Sequence, residues 1–208
     1  MAANAQHGVI GLPVKDKARK LTERILKNIE RVNEDSFERL IKLILSTVGT
    51  KKIFIVGAGR SGLVGRSLAN RLMHVGFNVY VVGETVTPAL KRGDLLIAIS
   101  GSGETKYPVS IAEEAKKLGA IVVAITSYPD STLGKIADHK VIVGGRTQPA
   151  EDRDYILRQL MGQHEPLTPM GTLFELSTSV LCDALIAELT ERMGKTEEDL
   201  RSRHASIE

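Results

Sequence analysis

The chain has 208 residues, 42% hydrophobic and 25% charged, with a net charge of +3, no tryptophan and one cysteine. That length suits one sizeable aliphatic core and is short for two full domains, and the lone Cys182 excludes an intrachain disulfide framework and fits a reducing compartment. The mild positive balance suits an anionic small molecule but lacks the dense Lys/Arg stripe of a nucleic-acid binder, and no apolar run reaches the ~18 residues of a membrane span.

Residues 1–13 carry no basic segment followed by an apolar one, so they read as a flexible N-terminus rather than a signal peptide, with cytoplasm as the default location. Residues 14–208 read as a single domain. Leu21, Ile25 and Ile29 share one helical face, and Asp35-Ser36-Phe37-Glu38 has the pattern of a capping box ahead of Leu40, Ile41, Ile44 and Leu45. Two antiparallel helices are expected there. Beyond them strands and helices alternate: strands over 52–56, 78–82, 94–99, 120–126 and 140–143, and helices over 61–75, 106–118, 131–137, 172–192 and 196–203. The strands lack polar alternation, which predicts burial on both faces. The expected fold is α/β, a three-layer αβα sandwich around a five-stranded parallel sheet, preceded by N-terminal helices. Residues 144–170 show no clear periodicity, and long ordered loops in compact domains are often functional.

Two glycine loops follow predicted strands. Gly57-Ala58-Gly59-Arg60-Ser61-Gly62 matches G-x-G-x-x-G, the dinucleotide fingerprint, and Glu84 follows the next strand where a ribose-binding acid would sit. Against that reading, little chain remains for a substrate domain, and Arg60 puts a charge inside the turn. The plainer alternative is glycines that permit a tight turn and Glu84 as a solvated acid. The second loop, Ser100-Gly101-Ser102-Gly103-Glu104-Thr105, places three hydroxyls and two glycines at a helix start. Glycines let backbone N–H groups approach an anion, hydroxyls donate as well, and the helix dipole favours negative charge, so this loop reads as a phosphate site. Its plainer alternative is a serine-rich N-cap. Two such loops at neighbouring strand ends favour the phosphate, because that edge is where open α/β sheets bind ligands.

Ile55-Val56-Gly57-Ala58-Gly59-Arg60-Ser61 followed by Ile99-Ser100-Gly101-Ser102-Gly103-Glu104-Thr105 resembles the paired loops of the SIS (sugar isomerase) fold, a flavodoxin-like sandwich, over about residues 50–145. Arg71-Leu72-Met73-His74-Val75-Gly76-Phe77, Val82-Gly83-Glu84-Thr85, Pro169-Met170-Gly171-Thr172-Leu173-Phe174-Glu175 and Arg203-His204-Ala205-Ser206 extend the likeness to the 6-phospho-3-hexuloisomerase family. The resemblance implies interconversion of 3-hexulose 6-phosphate and fructose 6-phosphate, as in the ribulose monophosphate pathway of formaldehyde fixation. It further implies no metal or cofactor, a homotetramer with sites shared between subunits, and sugar-phosphate contacts from Gly59, Arg60, Ser61, Ser100, Gly101, Ser102, Gly103 and Thr105. The nearest alternatives are another sugar-phosphate aldose–ketose isomerase and a non-catalytic sugar-phosphate sensor.

Moving a carbonyl between C3 and C2 needs a base, a proton path for the oxygens and a clamp on the phosphate. Glu175 is the candidate base. It lies in the first turn of a predicted helix, where the dipole keeps a carboxylate ionised, although Thr172-x-x-Glu175 is also a capping-box pattern. The resemblance favours catalysis. His74 lies 13 residues beyond Ser61 on one helix, about 20 Å at ~1.5 Å per residue. Either it is a satisfied helix-end histidine or it serves a neighbouring subunit; the resemblance favours the second, as a proton shuttle. His7, His164 and His204 show no ligand spacing with one another, so no metal site is expected. His139 reads as structural, Cys182 and Met193 as core or interface, and Lys116-Lys117 as a solvated face.

Overall fold

The computed structural model describes residues 13–145 and 171–203. In chain order the elements are α1 (Val14–Ile29), α2 (Glu34–Leu45), β1 (Ile53–Gly57), α3 (Gly59–Val75), β2 (Val79–Val81), β3 (Leu95–Ile99), α4 (Lys106–Lys117), β4 (Ile121–Thr126), α5 (Thr132–Ile136), β5 (His139–Ile142), α6 (Thr172–Arg192) and α7 (Glu197–Arg201). The strands form one sheet in the order β2-β1-β3-β4-β5, with every pairing parallel. The expected α/β sandwich is therefore present. Its order is the flavodoxin-like one rather than the dinucleotide-binding 3-2-1-4-5-6, and the chain reverses its winding direction between β1 and β3.

Alternate residues of the strands feed two separate cores. Ile53, Ile55, Leu95, Ile97, Ile99, Val123, Ile125 and Val141 pack with α2, α3 and α6, including Leu40, Leu68, Leu72 and Phe174. Phe54, Val56, Leu96, Ala98, Val122 and Ala124 pack with Val109, Ala112 and Ala115 of α4 and Leu133 of α5. Side chains of successive strand residues point to opposite faces, so strands apolar on both faces require a helix layer on each side. All five residues of β3 are buried, as its place in the middle of the sheet demands.

The ends of the sheet's strands are pinned by acids at the N-terminal edge. Asp94, 1% exposed, accepts hydrogen bonds from the backbone N–H of Lys52 (3.0 Å) and Lys91 (2.8 Å) and pairs with Lys52 Nζ at 3.2 Å. Burial pushes its carboxyl upward, but those donors and the ammonium outweigh burial and hold it below the ordinary aspartate range. Asp138 repeats the device, accepting from Val122 N–H at 2.8 Å beside Lys116.

The N-terminal segment departs from expectation in two ways. Helix α2 begins at Glu34, and its cap is Asn33, whose side chain accepts from Ser36 N–H at 2.9 Å. Asp35 and Ser36 therefore lie inside the helix, and Glu38 instead forms a two-pronged ion pair with Arg192 (3.0 and 2.7 Å) that holds its carboxyl down at about 2. Secondly, α1 packs against α6, and α2 against β5 and α6, so α6 rather than an α1–α2 pair organises this end. The link is polar: Asn28, 7% exposed, donates to Gly144 O and Ser177 Oγ, both at 2.8 Å.

Candidate active site

Register pairs Gly57 at the end of β1 with Ile99 at the end of β3, so the two glycine loops leave adjacent strand ends at the point where winding reverses. That crevice is the expected ligand position in an open α/β sheet.

The loop 100–105 is turned for an anion. Its carbonyls face away from the crevice's helix start: Gly101 O accepts from Ser127 N–H (3.1 Å) and Gly103 O from Leu133 N–H (2.9 Å). The N–H groups of Gly101, Ser102 and Thr105 donate to no other described residue. Three hydroxyls cluster beside them, Thr105 Oγ1 lying 3.5 Å from Ser100 Oγ and 3.4 Å from Ser102 Oγ. Donors gathered at the start of α4, the twelve-residue helix Lys106–Lys117, are what a phosphate needs. Gly103 is required by its surroundings. It has φ +66°, and a β-carbon there would sit 2.0 Å from Ser131 Oγ. Ser100 also serves structurally, its Oγ accepting from Gly103 N–H at 3.2 Å. Glu104, the other carboxylate of the loop, accepts from Thr132 N–H (2.9 Å) and Thr132 Oγ1 (2.7 Å), fastening the loop to the start of α5.

On the first loop, α3 starts at Gly59 rather than Ser61, with Ala58 as its cap residue. Ser61 is buried at 9% exposure, and Arg60 stands at the loop's rim with its side chain half exposed. Its Nε lies 2.6 Å from Glu175 Oε2. Glu175 is in the first turn of α6, with a side chain 14% exposed. The Arg60–Glu175 pair heads a cleft of about 370 Å³ between α3 and α6, also lined by Leu63, Val64, Ser67, Leu176 and Ser179. The structure thus brings Gly59, Arg60, Ser61 and Glu175 together, and Ser100, Gly101, Ser102, Gly103 and Thr105 on the neighbouring loop.

His74 is not part of this cluster. It sits in the last turn of α3, 5% exposed, about 20 Å along the helix from Ser61. Glu84 is a partly exposed acid, as its plainer reading expected, and it pairs with Arg66 of α3 at the surface. His139 is structural, its Nε2 2.7 Å from Ser36 O. Burial pushes the Cys182 thiol up to about 12, so it is no nucleophile. Among the described residues no group of three or more His, Cys, Asp or Glu side chains could hold a metal ion, and no helix is long and apolar enough to cross a membrane. His7, His164, His204, Pro169, Met170 and the segment 146–170 lie outside the described residues. The sequence signals missed the Arg60–Glu175 pair and the Glu104 clasp, which join residues 115 and 28 positions apart by subtraction of their numbers.

Comparison with known proteins places this geometry among relatives. The SIS domain model matches residues 48–151. An uncharacterized protein of Aeropyrum pernix is 48% identical over 185 residues, covering 88% of this chain and 87% of that protein. The 3-hexulose-6-phosphate isomerase of Bacillus subtilis is 42% identical over 177 residues, 85% of this chain and 89% of its own length. A crystal structure from Methanococcus jannaschii, described as inferring a 3-hexulose-6-phosphate isomerase, superposes with a TM-score of 0.73 at 33% identity, over 93% of this chain and 99% of that one.

Proposed function

This chain belongs to the SIS-domain family, in the branch that holds the 3-hexulose-6-phosphate isomerases, and on that premise we propose that it interconverts 3-hexulose 6-phosphate and fructose 6-phosphate. The observation that carries the reading is Glu175: a partly buried carboxylate in the first turn of α6, 2.6 Å from Arg60, on the edge that carries the hydroxyl and amide cradle.

The phosphate is held by the hydroxyls of Ser100, Ser102 and Thr105 and the free amides beside them, with Ser61, Gly59 and Arg60 on the facing loop. Fixing the phosphate places C2 and C3 within reach of Glu175 and converts the proton transfer into an intramolecular step. Glu175 takes the proton from C2 of the 3-ketose. The electron pair of that C–H bond forms the 2,3-enediol, a proton passes from the C2 oxygen to the C3 oxygen, and the carbon proton returns at C3. Oxidation at C2 balances reduction at C3, so the reaction consumes no external oxidant or reductant. The proton relay between oxygens suits an imidazole. Because His74 stands about 20 Å from its own glycine loop, a neighbouring subunit supplies it, in a homotetramer working in the cytoplasm on formaldehyde-derived or pentose-linked sugar phosphates.

The test is a coupled assay that supplies 3-hexulose 6-phosphate and follows fructose 6-phosphate, run on wild type and Glu175→Gln. The variant is expected to fold and to bind sugar phosphate while turnover falls by ~10²-fold or more. Solvent deuterium incorporation at the reacting carbons should fall in parallel. A well-folded Glu175→Gln enzyme with wild-type turnover would remove Glu175 from the mechanism, and absence of fructose 6-phosphate formation by the wild type would reject the substrate.

A further inference from the structure

We propose that the loop leaving β2, residues 82–87, measures the length of the sugar by receiving its C1 end, and that Tyr107 fixes the distance at which it does so. The inference rests on the isomerase reading above. The C-terminal ends of β2, β1 and β3 lie side by side in the sheet. Ile55 pairs with Val81 and Gly57 with Ile99, and the ladder runs on through a bond from Val82 N–H to Ile55 O at 2.9 Å, so Gly83 leaves the sheet beside Gly57. Strands lie ~4.8 Å apart, which puts the loop of β2 roughly 10 Å from the loop of β3, with the loop of β1 between them. A six-carbon chain of ~1.5 Å bonds ending in a phosphate is about 9 Å long when extended. With its phosphate on residues 100–105, such a sugar spans the crevice. Its reacting carbons then lie over the β1 loop, where Arg60 pairs with Glu175, and its C1 hydroxyl meets the loop of β2. A five-carbon chain stops short by one carbon.

The β2 loop is built as a fixed stop. It closes on itself, Thr87 donating through its N–H to Glu84 O (3.1 Å) and through Oγ1 to Val81 O (2.8 Å). It is also tied to the helix layers on both faces of the sheet. Arg66 of α3 pairs with Glu84 from one side. From the other, Tyr107 in the first turn of α4 reaches past β1 and donates its hydroxyl to Val82 O at 3.2 Å. Gly83 has φ +95°, and a β-carbon there would lie 3.0 Å from the Tyr107 hydroxyl, so the phenol is seated directly on the turn. Tyr107 belongs to the helix that opens on the phosphate loop, so one side chain sets the span between the two ends of the sugar. Between the anchored Glu84 and Thr87 stand Thr85 and Val86, both exposed, and the Thr85 hydroxyl has no partner among the described residues. Thr85 offers the hydrogen bond to the C1 hydroxyl. Tyr107 is a positioning residue, since it acts through the loop and touches no reacting atom.

The test uses unreactive open-chain ligands on the full chain, by titration calorimetry. D-Glucitol 6-phosphate has the whole six-carbon chain, D-arabinitol 5-phosphate is the same chain shortened by the C1 carbon, and inorganic phosphate reaches only the loop after β3. The wild type should bind glucitol 6-phosphate about tenfold more tightly than arabinitol 5-phosphate, as one further hydrogen bond allows. Thr85→Ala and Tyr107→Phe should each cut that ratio by about threefold or more, while inorganic phosphate binds as it does to the wild type. Melting curves confirm that both variants fold; a merely structural Tyr107 would lower the melting temperature and leave the ratio untouched. Equal wild-type affinity for the two polyol phosphates, or a ratio that survives either substitution, would overturn the inference. A matching loss of inorganic-phosphate affinity in Tyr107→Phe would make this residue a prop for the phosphate loop and overturn it as well. A wild type that binds none of the three ligands would remove the phosphate reading of residues 100–105, and the inference with it. A wild type that shows the ratio and its loss in the variants, yet makes no fructose 6-phosphate in the coupled assay, would reject the isomerase reading alone and support the stop.

Discussion

The ring of Phe174 lies against the backbone of Gly101, so closely that a β-carbon on that glycine would sit 2.9 Å from the ring's Cδ1. Phe174 is 1% exposed and immediately precedes Glu175, so the loop 100–105 and the candidate base share one packing contact. Gly101→Ala must push the ring, and with it the first turn of α6. Overpacking of this kind costs about 1–3 kcal/mol. We expect a lowered melting temperature and a kcat reduced more than the KM for sugar phosphate is raised. Wild-type melting and turnover in this variant would show that the contact yields freely.

Ser102→Ala removes a hydroxyl that faces Thr105 and accepts weakly from Glu104 N–H at 3.3 Å. Its main expected effect is on affinity, a loss of about 1.5–3 kcal/mol for one bond to a charged phosphate. Calorimetric titration with fructose 6-phosphate checks it. Ser100→Ala should lose affinity and thermal stability together, because Ser100 Oγ also holds Gly103 N–H.

The proposal that a neighbouring subunit supplies His74 has a direct consequence. His74→Ala and Glu175→Gln subunits, each inactive alone, should recover part of the activity when mixed, because a hybrid can hold one intact site. Subunit exchange is verified by mass spectrometry of the mixed oligomers. Confirmed exchange with no returning activity would rule out a site shared between subunits.

Asp94 governs part of the acid stability. Its folded pKa is depressed, so it contributes stability that is present above the unfolded aspartate value of ~3.9 and is lost as pH falls through the lower folded value. Asp94→Asn removes the charge opposite Lys52 and turns an amide donor toward a backbone N–H, a loss of about 2 kcal/mol at pH 7. Denaturant unfolding measured from pH 7 down to pH 3 should show a gap between wild type and variant that narrows toward the acid end. A constant gap would mean that the carboxyl's charge plays no part.

What the sequence made legible was whatever depends on near neighbours. The apolar runs of β1, β3 and β4 declared a sheet buried on both faces, and the hydroxyls and glycines of residues 100–105 declared a turn leading into a helix. The interval 172–192 matches α6 to the residue because Gly171 and Gly194 flank an uninterrupted helical pattern. Misreadings arose where a side chain had two possible partners, one local and one distant. Glu38 has the spacing of a capping residue, yet Arg192, 154 positions away, takes it. Asn28 carries no local signal at all, as one polar residue on a helix whose Leu21, Ile25 and Ile29 are only partly buried. Such partners are chosen by the tertiary fold, and no window of sequence contains both ends.

The sheet's last strand ends at Ile142, whereas Glu175 and the Ser177 that receives Asn28 belong to a helix beginning at Thr172. A chain emerging from the ribosome therefore completes both glycine loops before it possesses Glu175, and its first helix waits without its seat until α6 is made. Contacts closed over 116 and 149 residues are late and slow to form. During that interval the nascent protein already has the loop 100–105 with its open amides, and a small anion bound there would stabilise the half-finished sheet by mass action. Synthesis in this order delivers the sheet and both glycine loops first and adds the helix that carries Glu175 and seats α1 only afterwards.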